Sequence, residues 1–228
     1  MIVIKISDIL RLNMIEIESY EPYHIGIKLT SPLALPAFRK RIIGAMTKDS
    51  DFKDTSDNDF DATLPNEVIA KLDDVKIEFN YQSLALNTVG DDPAKTSSTF
   101  KKLVSLLQSL DYELDNTLVV FYEVLSNIII KINEDSLNML TKSVNCNLDG
   151  FRELNPNVNV SVLKIDLVDK ESRKESMELT VGTNPVRSKT SMIVGLKYRH
   201  TSNEKILEFN DKIKERVTVL LNSFGEKK

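Results

Sequence analysis

Hydrophobic and polar residues alternate through much of the last third of the chain. Met177, Leu179 and Val181 are interleaved with Glu178 and Thr180, and Met192, Val194, Leu196 and Tyr198 with Ile193, Gly195, Lys197 and Arg199. A period of two puts each apolar set on one side of an extended chain, so both stretches predict strands with a buried face. Leu163, Ile165 and Leu167 predict another strand; Val158, Val160 and Val162 precede it one phase out, as a bulge near Val162 would produce. The period then lengthens. Ile206, Phe209, Ile213, Val217, Leu220 and Phe224 recur at three and four residues, which predicts one long amphipathic helix. Thr201 and Glu204 have the spacing of a capping box at its start, and Gly225 stands at its end.

Earlier in the chain, MIEIES and YHIGIKL predict strands separated by Pro22, and PAFRKRIIGAM, with Phe38, Ile42 and Met46 four apart, predicts a short helix. DSDFKDTSDNDFD, rich in aspartate and turn formers, is an exposed loop or linker. VKIEFNYQSLAL is expected to be extended with one wet face and to end at DDP, residues 91–93. Ser97 or Ser98 is then placed to cap a helix with Phe100, Leu103, Leu107 and Leu110 on one stripe. The run Leu118 to Ile132 satisfies both periods. Its β-branched and aromatic content favours buried strands, broken near Ser126 and Asn127. Leu137, Leu140 and Val144 predict a helix after Asp135, and NLDGFRELNPN a connector.

Strands in succession followed by a helix mean an α+β fold: antiparallel sheets with helices packed on one face, with room for two related lobes. The chain divides into N-terminal strands and helix (1–48), the acidic loop or linker (49–63), a central α+β part (64–150) and a C-terminal meander with its helix (151–228), all of which one domain could hold. HIGIKLTS and IVGLKYRHTS share an apolar-Gly-apolar-Lys-apolar core that would fit a duplicated unit, but so short a match is better read as chance.

Composition changes this picture little. In 228 residues, 41% hydrophobic and 28% charged content is that of a folded protein able to bury a core. The net charge of -4 gives no field toward nucleic acid or anionic lipid, so neither partner is indicated. A single cysteine, Cys146, forms no intramolecular disulfide and points to a reducing compartment, by default the cytoplasm. The first residues do not read as a signal peptide, and Glu123, Ser126, Asn127 and Lys131 interrupt the longest apolar run, so no membrane span is expected.

Much chemistry has no support in these residues. Only His24, His200 and Cys146 offer nitrogen or sulfur to zinc, at no ligand spacing. An EF-hand frame on Asp57, Asp59 and Asp61 puts Ala62 at the glycine position and Val68 at the bidentate glutamate position. Cys146 has no neighbouring base, and His24 reads as structural. The nucleophile-elbow, zincin and dinucleotide-fingerprint motifs are absent. Arg39, Lys40 and Arg41 form a cationic patch at a helix start, expected to be a solvated face. In GTNPVRSKT, Thr183 and Ser188 stand at the two P-loop glycine positions, with Gly182 displaced by one, and a strand pattern follows where a helix is required.

What remains is a hairpin carrying Arg187 and Lys189 at its tip and Lys197 and Arg199 on the polar face of the outgoing strand, a candidate anion-binding set for a phosphate or a nucleic-acid backbone. No catalytic or metal residue and no cofactor is assigned. The expectation is a non-enzymatic interaction or assembly protein, bound to a protein partner or to itself as a homodimer through an edge strand or the last helix. An anion-binding module is the alternative.

Overall fold

The computed structural model describes residues 16–31, 35–61, 63, 65–114, 117–132, 135–143, 161–171, 174–187 and 189–223. Along them run β1 (Glu16–Leu29), α1 (Leu35–Met46), β2 (Asn66–Leu72), β3 (Val75–Asn80), β4 (Ala85–Gly90) and α2 (Pro93–Ser109). Then follow β5 (Val119–Lys131), α3 (Ser136–Ser143), β6 (Val162–Val168), β7 (Glu175–Thr183), β8 (Ser191–His200), α4 (Asn203–Asp211) and α5 (Ile213–Ser223). The eight strands form one antiparallel sheet in the order β2-β3-β4-β1-β5-β8-β7-β6. The protein is α+β.

The two halves repeat one topology. A long strand, a helix, a three-strand meander and a helical segment occur first as β1 to α2 and again as β5 to α5, and outward from the β1–β5 seam each half runs first strand, fourth, third, second. α2 packs on β1 and β4, α4 packs on β5 and β8, and the two helices touch each other. The echo between HIGIKL and IVGLKY is not this repeat, because it matches β1 with β8, whereas the topology matches β1 with β5 and β4 with β8.

Strand alternation builds a helix-covered face. Tyr23, Ile25 and Ile27 of β1 stand opposite Ser126, Val124 and Tyr122 of β5, and the row continues through Leu196, Tyr198 and Leu179, all buried. Aromatic contacts fix helices to it: Phe38 of α1 lies edge-on to Phe79 with centroids 6.2 Å apart, Phe100 of α2 edge-on to Tyr122 at 6.4 Å, and Phe209 of α4 stacks on Tyr198 at 4.0 Å.

Local chemistry departs from the sequence expectation at several points. Asp92, not Ser97 or Ser98, caps α2: its Oδ1 accepts from the backbone N–H of Ala94 and Lys95, with Pro93 in the first turn. Ser97 is buried instead. β5 is unbroken, because Ser126 turns toward the helices and Asn127 to the opposite face, so the alternation passes through both polar residues. VKIEFNYQSLAL holds two strands, β3 and β4, joined by a turn in which Leu84 has φ 51°. Pro22 interrupts nothing: three steps along β1 from Tyr20 to Tyr23 oppose two along β5, a bulge that spares a ladder hydrogen bond the proline could not make.

The long C-terminal helix is two helices parted at Lys212, although Ile206, Phe209, Ile213 and Val217 remain one buried stripe. Ser202 rather than Thr201 occupies the cap position, and its N–H donates to His200 Nδ1. Cys146, Val158, Val160, the NLDGFRELNPN connector, Phe224 and Gly225 lie outside the described residues.

The two outer strands differ. Along β2, Lys53 and Lys71 exchange backbone hydrogen bonds at 2.7 Å and the Ser56 N–H donates to the Ile69 carbonyl at 2.9 Å, so the acidic segment lies against that edge. Arg39 anchors it. Its Nε donates to Glu67 Oε2 at 2.7 Å and its Nη2 to Glu67 Oε1 at 2.5 Å and to the Asn58 carbonyl at 2.9 Å, while Ser56 Oγ donates to Glu67 Oε1. Arg39 is therefore buried and not part of a surface patch. Arg41 lies over the Tyr112 ring at 4.8 Å and donates to the Leu110 carbonyl at 2.7 Å, which leaves Lys40 as the exposed lysine between two engaged arginines. Among the described residues no segment pairs with the outer edge of β6. None of the described helices is long and apolar enough to cross a membrane.

Candidate functional site

Helices cover one face of the sheet, and the strand registers lay out the other. One row crosses all eight strands: Lys71, Lys76, Val89, His24, Leu125, Lys197, Glu178, Asp166. The next is Val68, Glu78, Asn87, Gly26, Glu123, Arg199, Ser176, Val168. On the β5 to β7 side of the seam lies a depression of about 410 Å³ whose wall includes Pro22, His24, Leu125, Asn127, Ile193 and Lys197.

The depression combines an apolar floor with a few directed polar groups. Pro22, Leu125 and Ile193 supply the first; His24, Asn127, Thr180 and the Lys197–Glu178 pair supply the second. Such a mixture recognises a ligand by shape and orients it by hydrogen bonds. Burial lowers the His24 imidazole below its ordinary range, and the nearby Glu123 carboxylate opposes that shift without overcoming it, so His24 offers a neutral donor and acceptor. Among the described residues no three His, Cys, Asp or Glu side chains are grouped to hold a metal ion.

In each half a glycine on this face is paired with an asparagine, Gly26 with Asn87 across β1–β4 and Gly195 with Asn127 across β8–β5. A Cβ on Gly26 would collide with Asn87 Oδ1, so that amide lies over the glycine. Asn87 Oδ1 is shielded from solvent and has no hydrogen-bond partner.

The four cations expected from the sequence do not form one constellation. Arg187 and Lys189 sit in the turn between β7 and β8, where Asn184 Oδ1 accepts from the N–H of Val186 and of Arg187. Lys197 and Arg199 sit toward the far end of β8, roughly 20–25 Å away at the rise of an extended chain. Three are matched by carboxylates: Arg187 with Glu18 at 3.0 Å, Lys197 with Glu178 at 3.5 Å and Arg199 with Glu123 at 2.9 Å. Arg199 also lies over the Phe121 ring at 4.4 Å. Lys189 is exposed. Lys164 is the second cation on Glu178, at 3.1 Å, and that hydrogen bond with the field of Lys197 holds the Glu178 carboxyl below its ordinary range.

Sequence reasoning found Lys197 and Arg199 on the polar face and missed their partners. Glu123, Glu178 and His24 meet them only through the β1–β5–β8–β7 pairing, which no local spacing announces. The available signal was coarse, a glutamate at an outward position of a predicted strand. No protein-family model matches the chain. Nor does any curated protein match it in sequence.

Proposed function

We propose that the protein is a cytoplasmic, non-enzymatic interaction protein that docks a polypeptide partner on the open face of its sheet, centred on the depression beside His24 and Leu125. The observation that supports this reading is the distribution of charge there. Lys164, Lys197 and Arg199 each have a carboxylate within 4 Å, so this part of the face is locally neutral, while Leu125, Ile193 and Pro22 give it an apolar centre. An apolar patch ringed by satisfied polar groups suits a protein surface. A polyanion track would instead present unpaired cations along a line.

Photo-crosslinking tests the reading. A photoreactive residue replacing Leu125, compared with one replacing the exposed Lys101 on α2, is expected to capture polypeptide in cells, with capture lost when Asn127→Arg is added. Equal capture at both positions overturns the proposal. So does a melting temperature raised by polyphosphate and restored to baseline by Lys197→Ala with Arg199→Ala, which would establish the anion-binding alternative.

A further inference from the structure

We infer that β6 is a self-recognition strand, which pairs antiparallel with β6 of a second copy about a two-fold axis through Ile165. This goes beyond the docking face proposed above and does not depend on it.

Three observations carry the inference. The first is the direction of the main chain. The Thr183 N–H donates to the Ser161 carbonyl, and the Asp169 N–H to the Glu175 carbonyl, both at 3.1 Å. Those contacts aim the odd-numbered residues of this stretch at β7, and the even-numbered ones, Val162, Lys164, Asp166 and Val168, turn their N–H and C=O groups outward. An antiparallel mate with Ile165 opposite Ile165 uses all four, each donating and accepting once, and it keeps helix face beside helix face.

The second is the sequence of the strand, VLKIDLV, which reads the same in chemical class from either end. In this register Val162 meets Val168 of the second copy, Leu163 meets Leu167, and Lys164 meets Asp166, so every cross-strand pair is apolar with apolar or cation with anion. Moving the register by two residues places Lys164 opposite Lys164, or Asp166 opposite Asp166. The strand specifies its own alignment.

The third is what the isolated chain leaves incomplete. Asp166 stands directly across from Glu178, a like-charge pair, and its nearest cation among the described residues is Lys164 at 3.9 Å, which is already held by Glu178 at 3.1 Å. A second copy places another lysine on the open side of Asp166. Val162, Leu167 and Val168 are 56%, 49% and 57% exposed, unusual for valine and leucine in a strand, and all three are covered in the paired form.

The test is the mass of the protein in solution by light scattering or sedimentation. The wild type is expected at twice 25.8 kDa at micromolar concentration. Lys164→Asp and Asp166→Lys each place like charges in register and are expected to run as monomers with unchanged circular dichroism. Mixed, the two variants are expected to recover the doubled mass, because the aspartate introduced at position 164 of one then meets the lysine introduced at position 166 of the other. Ile165→Cys, in a Cys146→Ser background, is expected to form an intermolecular disulfide on oxidation. A wild type that stays monomeric, or a dimer that both charge reversals leave intact, overturns the inference, whatever the crosslinking at Leu125 shows.

Discussion

The Tyr23 hydroxyl donates a 2.6 Å hydrogen bond to Asn210 Oδ1, tying β1, the seam strand of the first half, to a helix of the second across 187 positions of sequence. Both residues are buried, and burial, helped by Tyr20 and Asp211, pushes the phenol well above its ordinary range, so it remains a donor at any working pH. Tyr23→Phe leaves the Asn210 carbonyl unpaired and is expected to cost about 1–3 kcal/mol in urea unfolding. Adding Asn210→Leu should recover part of that loss. A Tyr23→Phe protein as stable as the wild type would mean that the bond contributes nothing net.

The Arg39–Glu67 pair is the buried ion pair under the capped edge. Burial alone would raise the Glu67 carboxyl; hydrogen bonds from Arg39, Ser56 and Tyr81 outweigh it and hold the group below its usual 4.5. The Tyr81 phenol, buried and bonded to that carboxylate, is pushed up to about 12. A depressed carboxyl contributes stability that is complete above 4.5 and is lost as pH falls through the lower folded value. Glu67→Gln should therefore flatten the acid limb of the stability profile. Arg39→Met, which strands a buried carboxylate, is expected to cost about 3–5 kcal/mol and to speed amide exchange at Lys53 and Ser56.

His24 acts in the same direction at higher pH. Its imidazole is lowered by burial, so unfolding takes up a proton between the folded value and 6.5, and stability falls as pH drops through that window. His24→Gln should abolish this slope in denaturant titrations at pH 7 and pH 5.5. An unchanged slope would place the titrating group elsewhere.

The two glycine–asparagine pairs predict unequal outcomes. Gly26→Ala pushes the half-buried Asn87 amide off the glycine, a rotamer shift expected to cost about 0.5–1.5 kcal/mol, relieved by Asn87→Gly. Gly195→Ala meets its nearest neighbour, Thr180 Cβ, at an ordinary 3.5 Å and should be close to neutral. Equal melting temperatures for the two variants would contradict the close approach at Gly26.

Much of the fold was legible because burial and period agree. β7, β8 and the buried stripe through α4 and α5 follow from alternation and from three-and-four spacing, and Phe38, Ile42 and Met46 bury as their spacing requires. Competition between local signals hid the rest. Asp92 ahead of a proline outranks a later serine as a cap, and two polar residues inside β5 look like a break until one is seen to face Tyr23 and the other to face away. The candidate site was the least legible part, since a lysine on an outward strand position announces its face but not the glutamate that a register places beside it.

The partly covered edge at β2 sets a limit on what β6, unpaired on its outer side among the described residues, can build. A strand-paired array grows only if each added molecule brings a fresh edge, and at the far end Lys53 and Ser56 already hold the backbone of Lys71 and Ile69. Two copies joined through β6 as proposed would use the edge of each that is unpaired among the described residues, and the product would be a finite sixteen-stranded sheet with two-fold symmetry and not a filament.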